Sequence, residues 1–436
     1  MKNENLHPAD QLVLMMNRVY KNGLTSTSGG NLSICDENGD IWITPSGIDK
    51  GTLTRNDIMC VKPDGTKIGI HTPSMELPFH SSVYKIRSDI KCVFHAHPPA
   101  LLTFSIARII PDINLLPQVE KLCGNISIEP YAIPGSIQLG KNISAEFKKG
   151  YDVVVMENHG VCIGAPDIFT AYRIFETLEY FCRIELNAMN LGKLTPPTAE
   201  EKKLFVKEAK LFESSCKKPS FVLKERKQTS EEKAARRDII TFVKRCYEQK
   251  LFSATQGTFS ARLSTGGFVI TPYGKDRAYL EERDLVFVNS KGKAEEGKTP
   301  DTKAALFAKI YATHDNVQSI TAALPPYTMG FAVSDAVFDP RTIPESYINL
   351  LDTKTISLKE LYTDTDKVAA TFTKRTPAVL IKNDSIVTVG KNMTNAYDRL
   401  EVAEFTANSI LATKTLGKLV NMSSAEIDEI DKAFGV

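Results

Sequence analysis

The run Ile41-Trp42-Ile43-Thr44-Pro45-Ser46-Gly47-Ile48-Asp49-Lys50 returns 227 positions later as Phe268-Val269-Ile270-Thr271-Pro272-Tyr273-Gly274-Lys275-Asp276-Arg277. A chain that carries one pattern twice is constrained to build the same supersecondary unit twice. The echo continues: Thr72-Pro73 as Thr299-Pro300, Tyr84 as Tyr311, and Pro98-Pro99 as Pro325-Pro326. At an offset of 225, Ala171-Tyr172 returns as Ala396-Tyr397, and Glu176 and Glu179 as Glu401 and Glu404. With 436 residues there is room for two ordinary domains. Their expected bounds are 1–195 and 236–436. Between them, 196–235 starts at the Thr195-Pro196-Pro197-Thr198 break and carries mixed charge through Lys224-Glu225-Arg226-Lys227 and Glu231-Glu232-Lys233, the composition of a solvated helix or linker.

Chemistry concentrates in the first copy. Ile90-Lys91-Cys92-Val93-Phe94 leads as a strand into His95-Ala96-His97, and side chains two apart on a strand share a face. Two imidazoles side by side suit a zinc ion, which needs three or four such donors. Taken alone, a His-x-His on a strand is more often a packed or solvated pair than a metal site. His159 sits at the tip of Asn158-His159-Gly160, the turn after the strand Tyr151–Met156. Glu76 stands where Thr72-Pro73-Ser74-Met75-Glu76 opens a helix, with Ser74 expected to cap it and Leu77, Val83 and Ile86 to form its apolar face. In the second copy the four positions read Lys303 for Glu76, Ala322 for His95, Leu324 for His97 and Asp384 for His159. A lysine repels a cation and alanine and leucine offer no lone pair, so the second copy is expected to hold no metal.

Two loops of small residues, Thr25–Asn31 and Thr44–Gly47, present hydroxyls and backbone N–H groups that fit a phosphate, or simply a turn. Helices are expected over residues 8–20, 99–108 and 167–190. A net charge of +2 gives no electrostatic case for a nucleic-acid or membrane surface. No apolar run approaches the ~20 residues of a membrane span, and Met1–Asn5 lacks a signal-peptide core. The eight cysteines include no Cys-x-x-Cys pair, which fits reduced thiols in a cytoplasmic protein.

The order of motifs resembles the class II aldolase/adducin family. It is carried by Ser28-Gly29-Gly30-Asn31-Leu32-Ser33, Ile43–Gly47, Pro73-Ser74-Met75-Glu76 with His80 and Tyr84, His95-Ala96-His97-Pro98-Pro99, Pro130-Tyr131 with Pro134-Gly135-Ser136, and Asn158-His159-Gly160. The resemblance implies an α/β fold, a three-layer α/β/α domain with a largely antiparallel central sheet, present twice. It implies zinc on His95, His97 and His159, with Glu76 as fourth ligand or acid/base. It implies a substrate phosphate on Ser28, Asn31, Ser46, Gly47 and Ser74. The implied reaction is cleavage of a ketose 1-phosphate, of the L-fuculose or L-rhamnulose type, to dihydroxyacetone phosphate and an aldehyde. The family's rings of four imply a homo-oligomer, here a dimer of tandem chains mimicking a tetramer.

Departures keep other reactions open. Met75 stands where several sugar-phosphate aldolases have a second serine. No tyrosine lies near Leu115 or Leu116, where fuculose-phosphate-type aldolases have one, and Glu120 falls near an epimerase aspartate. Epimerisation, dehydration or decarboxylation on the same site, or a non-enzymatic adducin-like role, are the alternatives. The second copy is a further candidate for anion binding at Thr255, Gln256, Gly257, Thr271 and Lys303.

Overall fold

The computed structural model describes residues 6–216, 227–295 and 297–435. The chain forms two compact units: residues 1–113 with 118–183, and residues 114–117 with 184–436. The helices and strands run α1 Pro8–Lys21, β1 Asn31–Cys35, β2 Ile41–Ile43, β3 Met59–Val61, β4 Lys67–Ile68, α2 Leu77–Ile86, β5 Cys92–Ala96, α3 Pro99–Ala107, α4 Pro117–Cys123, β6 Ile126–Glu129, α5 Ile137–Lys148, β7 Val153–Met156, β8 Gly160–Ala165 and α6 Ile168–Leu191. The sheet has the order β4-β3-β2-β1-β5-β8-β7-β6, antiparallel except for the β6–β7 pair.

β5 lies in the middle of this sheet and all five of its residues are buried, which is why it reads as a continuous apolar run. Strand alternation divides its side chains. Phe94 packs on Phe175 of α6, ring centroids 4.8 Å apart, while His95 turns to the other face, against Phe79 of α2 at 5.9 Å. Val93, Val154 and Cys162 share that second face with Phe79 and Val83 of α2 and Leu139, Ile143 and Phe147 of α5. Helices on both faces of one sheet make the expected three layers. Asp36 fastens the β1–β2 hairpin by accepting from the N–H groups of Asn38 and Asp40 at 2.9 and 3.0 Å. The start of α2 differs from expectation. Its N-cap position is Glu76, without a side-chain cap, while Ser74 lies in the turn before it and accepts from Glu76 N–H at 3.3 Å. Its buried face is Phe79, His80 and Val83, and Ile86 is exposed.

The second set of elements follows as α7 Ala199–Cys216, α8 Ser230–Glu248, β9 Thr258–Arg262, β10 Phe268–Ile270, β11 Val286–Val288, α9 Ala304–Thr313, β12 Ser319–Ala323, α10 Pro326–Ala332, α11 Pro344–Leu350, β13 Lys354–Ile356, α12 Leu358–Thr363, α13 Thr365–Thr371, β14 Ala378–Ile381, β15 Ser385–Gly390, α14 Met393–Leu416 and α15 Ser424–Phe434. Its sheet, β11-β10-β9-β12-β15-β14-β13, repeats the first with β4 reduced to the single bridge of Ala294 to Val288, and again only the β13–β14 pair is parallel. The stretch expected to link the copies begins as α7 and ends in the first turns of α8, with residues 217–226 outside the described residues. Among the described residues no helix is long and apolar enough to cross a membrane. The eight cysteines are free.

One device recurs in both units. A buried glutamate of the long helix caps the helix after the central strand. Glu179 accepts from the N–H groups of Ala100 and Leu101 at 3.0 and 2.9 Å, and Glu404 accepts from Tyr327 and Thr328 at 2.9 and 2.8 Å. The Pro98-Pro99 and Pro325-Pro326 pairs start those helices, where a missing N–H is harmless. Two buried N–H donors would lose their acceptor in Glu179→Ala, with an expected loss of about 2 kcal/mol in the unfolding of the first unit. Glu179→Gln keeps an acceptor oxygen and is expected to lose less. Urea unfolding followed by Trp42 fluorescence measures the difference.

Candidate metal and phosphate site

Glu76 at the head of α2, His95 and His97 at the end of β5, and His159 in the β7–β8 turn meet in one place. The ring nitrogens of His95, His97 and His159 include one from each that lie within 4.8 Å of one another. His95 Nε2 lies 3.1 Å from His97 Nε2 and 3.3 Å from Glu76 Oε2, and His159 Nε2 is 3.4 Å from Glu76 Oε1. Donors about 2.0–2.1 Å from a tetrahedral zinc stand roughly 3.3 Å apart, so these separations are those of one coordination shell.

The electrostatics agree with the distances. His95 donates from Nδ1 to the carbonyl of Val161 at 2.9 Å, which leaves the lone pair on Nε2, pointing inward. Burial pushes the pKa of each of His95, His97 and His159 down to about 4, so all three are neutral near pH 7 and their lone pairs are free to bind. Glu76 is 3% exposed and its Oε1 is buried without a hydrogen bond. An orphaned carboxylate oxygen facing neutral imidazoles fits a cation between them. Gly160 makes the approach possible, because a Cβ there would stand 2.6 Å from the ring of His97 and 2.7 Å from the carbonyl of Ala96. Gly30, at φ 71°, likewise lies where a Cβ would meet the carbonyl of His95 at 2.7 Å.

A directed chain of hydrogen bonds aims Glu76. Val93 N–H donates to Tyr84 OH at 3.1 Å, and Tyr84 OH bonds Ser33 Oγ at 2.6 Å. Ser33 Oγ bonds His80 Nδ1 at 2.6 Å, His80 Nε2 bonds Asn31 Oδ1 at 2.6 Å, and Asn31 Nδ2 donates to Glu76 Oε2 at 2.7 Å. Each group has only one consistent direction once the amide proton of Val93 is fixed at one end and the carboxylate at the other. Burial holds His80 well below the usual histidine range, hence neutral, with Nδ1 accepting and Nε2 donating as the chain requires.

The loops expected to take a phosphate also come together. Ser46 N–H donates to Thr72 O at 2.9 Å, Ser74 N–H to Thr44 O at 3.2 Å, and Lys50 N–H to Thr27 O at 2.9 Å. Ser74 is buried, Ser46 half-buried, and Ser28 and Gly47 are exposed. Asn31 differs from the others, since its amide is engaged by Glu76 and His80, with one Nδ2–H left over. Lys50, absent from the residues singled out in the sequence, sits under these loops at 3% exposure and donates to Pro45 O at 2.6 Å. Burial lowers its pKa to about 8, and among the described residues no carboxylate pairs with it. The repeat held the signal: Lys50 recurs as the cation Arg277.

The second unit fills both places with its own charges. Lys303, at the position of Glu76, forms a partly buried ion pair with Asp384, at the position of His159, and Ser385 Oγ donates to the same carboxylate at 2.6 Å. Ala322 and Leu324 are buried beside the strand end. Arg277 donates to the carbonyls of Gly257 and Pro272 at 2.9 Å each and to Asp301 at 3.2 Å. Asp301 stands at the position of Ser74 and keeps its backbone bond, to Thr271 O at 3.0 Å. A carboxylate thus occupies the anion's place over the buried cation. Lys303 and the Arg277 hub are already neutralised, which removes the case for an anion at Thr255, Gln256, Gly257, Thr271 and Lys303.

Residues 10–186 and 237–411 each match the Class II Aldolase and Adducin N-terminal domain family, and the chain belongs to that family. It is 31% identical over 194 residues to the 5-deoxy-D-ribulose 1-phosphate aldolase of Bacillus thuringiensis serovar kurstaki, covering 43% of this chain and 89% of that one. It is 27% identical over 174 residues to the 3-oxo-tetronate 4-phosphate decarboxylase of Haemophilus influenzae, covering 39% of this chain and 82% of that one. Among solved structures, an L-fuculose 1-phosphate aldolase aligns at 29% identity and a TM-score of 0.42, covering 47% of this chain and 96% of that one.

Ser33→Ala would strand the Tyr84 hydroxyl and His80 Nδ1 in a buried setting. The expected loss is about 1–3 kcal/mol of first-unit stability, read by chemical unfolding.

Proposed function

We propose that the chain is a zinc-dependent class II aldolase, a carbon–carbon lyase that cleaves a ketose 1-phosphate of the L-fuculose or L-rhamnulose type to dihydroxyacetone phosphate and an aldehyde. Residues 1–195 would carry the site, 196–235 the connection, and 236–436 the degenerate copy. The observation that carries this reading is the orphaned, buried Glu76 oxygen among three neutral histidines set at ligand spacing. His95, His97 and His159, with Glu76 as fourth ligand, would hold the ion. A bound zinc supplies a Lewis acid for the substrate's carbonyl oxygen.

The chain's own residues do the rest. Ser28, Asn31, Ser46, Gly47 and Ser74 would grip the phosphate, with the Lys50 ammonium beneath them as counter-charge, in the role that Arg277 plays for Asp301. As the bond between the third and fourth carbons breaks, the hydroxyl of the fourth carbon gives its proton to solvent and becomes the aldehyde carbonyl, the electron pair of the broken bond stays on the donor carbon, and Glu76 moves the proton that this carbon takes up. The Asn31–His80–Ser33–Tyr84 chain keeps one Glu76 oxygen fixed and leaves the other toward the reacting atoms.

One observation favours a second reaction on this site. Leu115 and Leu116 are both fully buried apolar side chains, so no phenol stands there to handle a proton on the departing aldehyde. Decarboxylation of a phosphorylated 3-oxo acid releases carbon dioxide and makes no such demand. A panel of sugar phosphates, scored for dihydroxyacetone phosphate and for carbon dioxide, separates the two.

Purified protein is expected to retain one zinc per chain after dialysis, and His95→Ala none, with turnover lost in parallel. Full turnover by a metal-free His95→Ala protein would refute the assignment. Lys50→Met is expected to raise KM for the phosphorylated substrate about tenfold while changing kcat little, the pattern of lost ground-state binding. The tandem chain is proposed to pair as a dimer equivalent to a ring of four. Light scattering is expected to give twice the chain mass, and a fully active monomer would contradict it.

A further inference from the structure

The second unit has a cavity of about 200 Å³ whose lining includes His314, Lys374, Lys391 and Arg399 and no acidic side chain. It lies at the far end of the sheet from the erased metal site. Gly390 closes β15 there, while Asp384 and Ser385 mark the other end of the same strand. Six residues of strand span roughly 17 Å, so the two places are separate.

The first unit has a paired charge cluster at this place. There Arg87 donates to Asp89 at 2.7 Å, to Asp152 at 2.8 Å and to the carbonyl of Phe147 at 3.2 Å. At the repeat offsets the second unit has His314 for Arg87, Asn316 for Asp89 and Pro377 for Asp152. Both acids are gone. Two cations are added, Arg399 for Ile174 and Lys391 for Pro166, while Lys374 matches Lys149. A paired cluster has become an opening edged with positive charge.

The internal bonds of these groups go to backbone carbonyls: Lys374 Nζ donates to Gly435 O at 3.2 Å and His314 Nε2 bonds Ala369 O at 2.9 Å. Arg399 donates to the carbonyl of Val389, but its Nε is buried without a partner. Asp398, its neighbour in α14, does not line the cavity. Among the described residues none of His314, Lys374, Lys391 and Arg399 forms an ion pair with a carboxylate. The first turn of the 24-residue α14 adds the positive end of a helix dipole through Asn395 at the cavity wall. Asp398 acts on Arg399 only through space, without an ion pair, and positive charge around a small, partly enclosed space favours a compact anion.

We propose that the second unit binds a small phosphate-bearing anion in this cavity, on Arg399, Lys391 and Lys374. The volume admits a phosphate group with a short carbon chain and excludes a nucleotide-sized ligand. The duplicated copy has thus lost one site and gained another, which would make it a sensor of phosphate esters attached to the catalytic copy.

The test is calorimetric titration of the full chain with inorganic phosphate at physiological ionic strength, comparing the natural protein with Arg399→Ile. The expected result is one fewer phosphate bound per chain in Arg399→Ile, at an unchanged melting temperature. Because the readout is a difference, it stands whether or not the first unit also binds phosphate. Should Arg399→Ile fold poorly, Lys374→Ala combined with Lys391→Ala, both at exposed positions, is expected to weaken the same event at least fivefold. Unchanged stoichiometry and affinity in a folded variant would overturn the proposal.

Discussion

A carboxylate removed from water needs a cation or several donors, because burying an isolated charge costs far more than a hydrogen bond returns. Both units of this protein bury one at this site, Glu76 at the head of α2 in the first and Asp384 in the β14–β15 turn in the second, and the rest of each site follows from how that charge is met. In the second unit Lys303 supplies the cation for Asp384 from within the chain. In the first, Glu76 has a single donor, Asn31, on one oxygen and nothing on the other, and the neighbouring side chains are imidazoles held neutral by burial. Such an arrangement fits an ion from outside. The loops proposed to take a phosphate repeat the same contrast, with Arg277 matched to Asp301 in one unit and, among the described residues, Lys50 without a carboxylate in the other.

The two units therefore differ by a small number of charges on a shared frame. Sheet order, the parallel edge pair and the glutamate that caps the helix after the central strand are retained. Packing constrains those features regardless of chemistry. The site positions carry no such constraint, and in the second unit the Lys303–Asp384 and Arg277–Asp301 pairs balance their own charge. Helix α5 of the first unit gives way to the α12–α13 pair, which covers the same face with Leu358, Leu361, Val368 and Ala369.

Much of this was legible in the sequence. The β5 strand, the glycine turn at His159 and the long helix α6 are continuous local patterns, and the internal repeat fixed both the duplication and the four altered ligand positions. Three things were not legible. The short edge strand Ile126–Glu129 has few residues and pairs in parallel with the next strand across the crossover helix α5, so neither its length nor its alternation marks it. The role of Ser74 at the head of α2 was misread because a serine before a helix is usually its cap, whereas here the chain turns once more and Glu76 takes that position. The Tyr84–Ser33–His80–Asn31 chain joins residues up to 51 positions apart, and only three-dimensional register brings them into line.

The central claim is that the first unit requires an external cation where the second carries its own. Anomalous diffraction from crystals equilibrated with zinc, recorded on either side of the zinc absorption edge, tests it most directly. The account predicts one strong peak per chain, about 2 Å from His95, His97 and His159, and none beside Lys303 and Asp384. An empty first site, or a peak in the second unit at those residues, would contradict it.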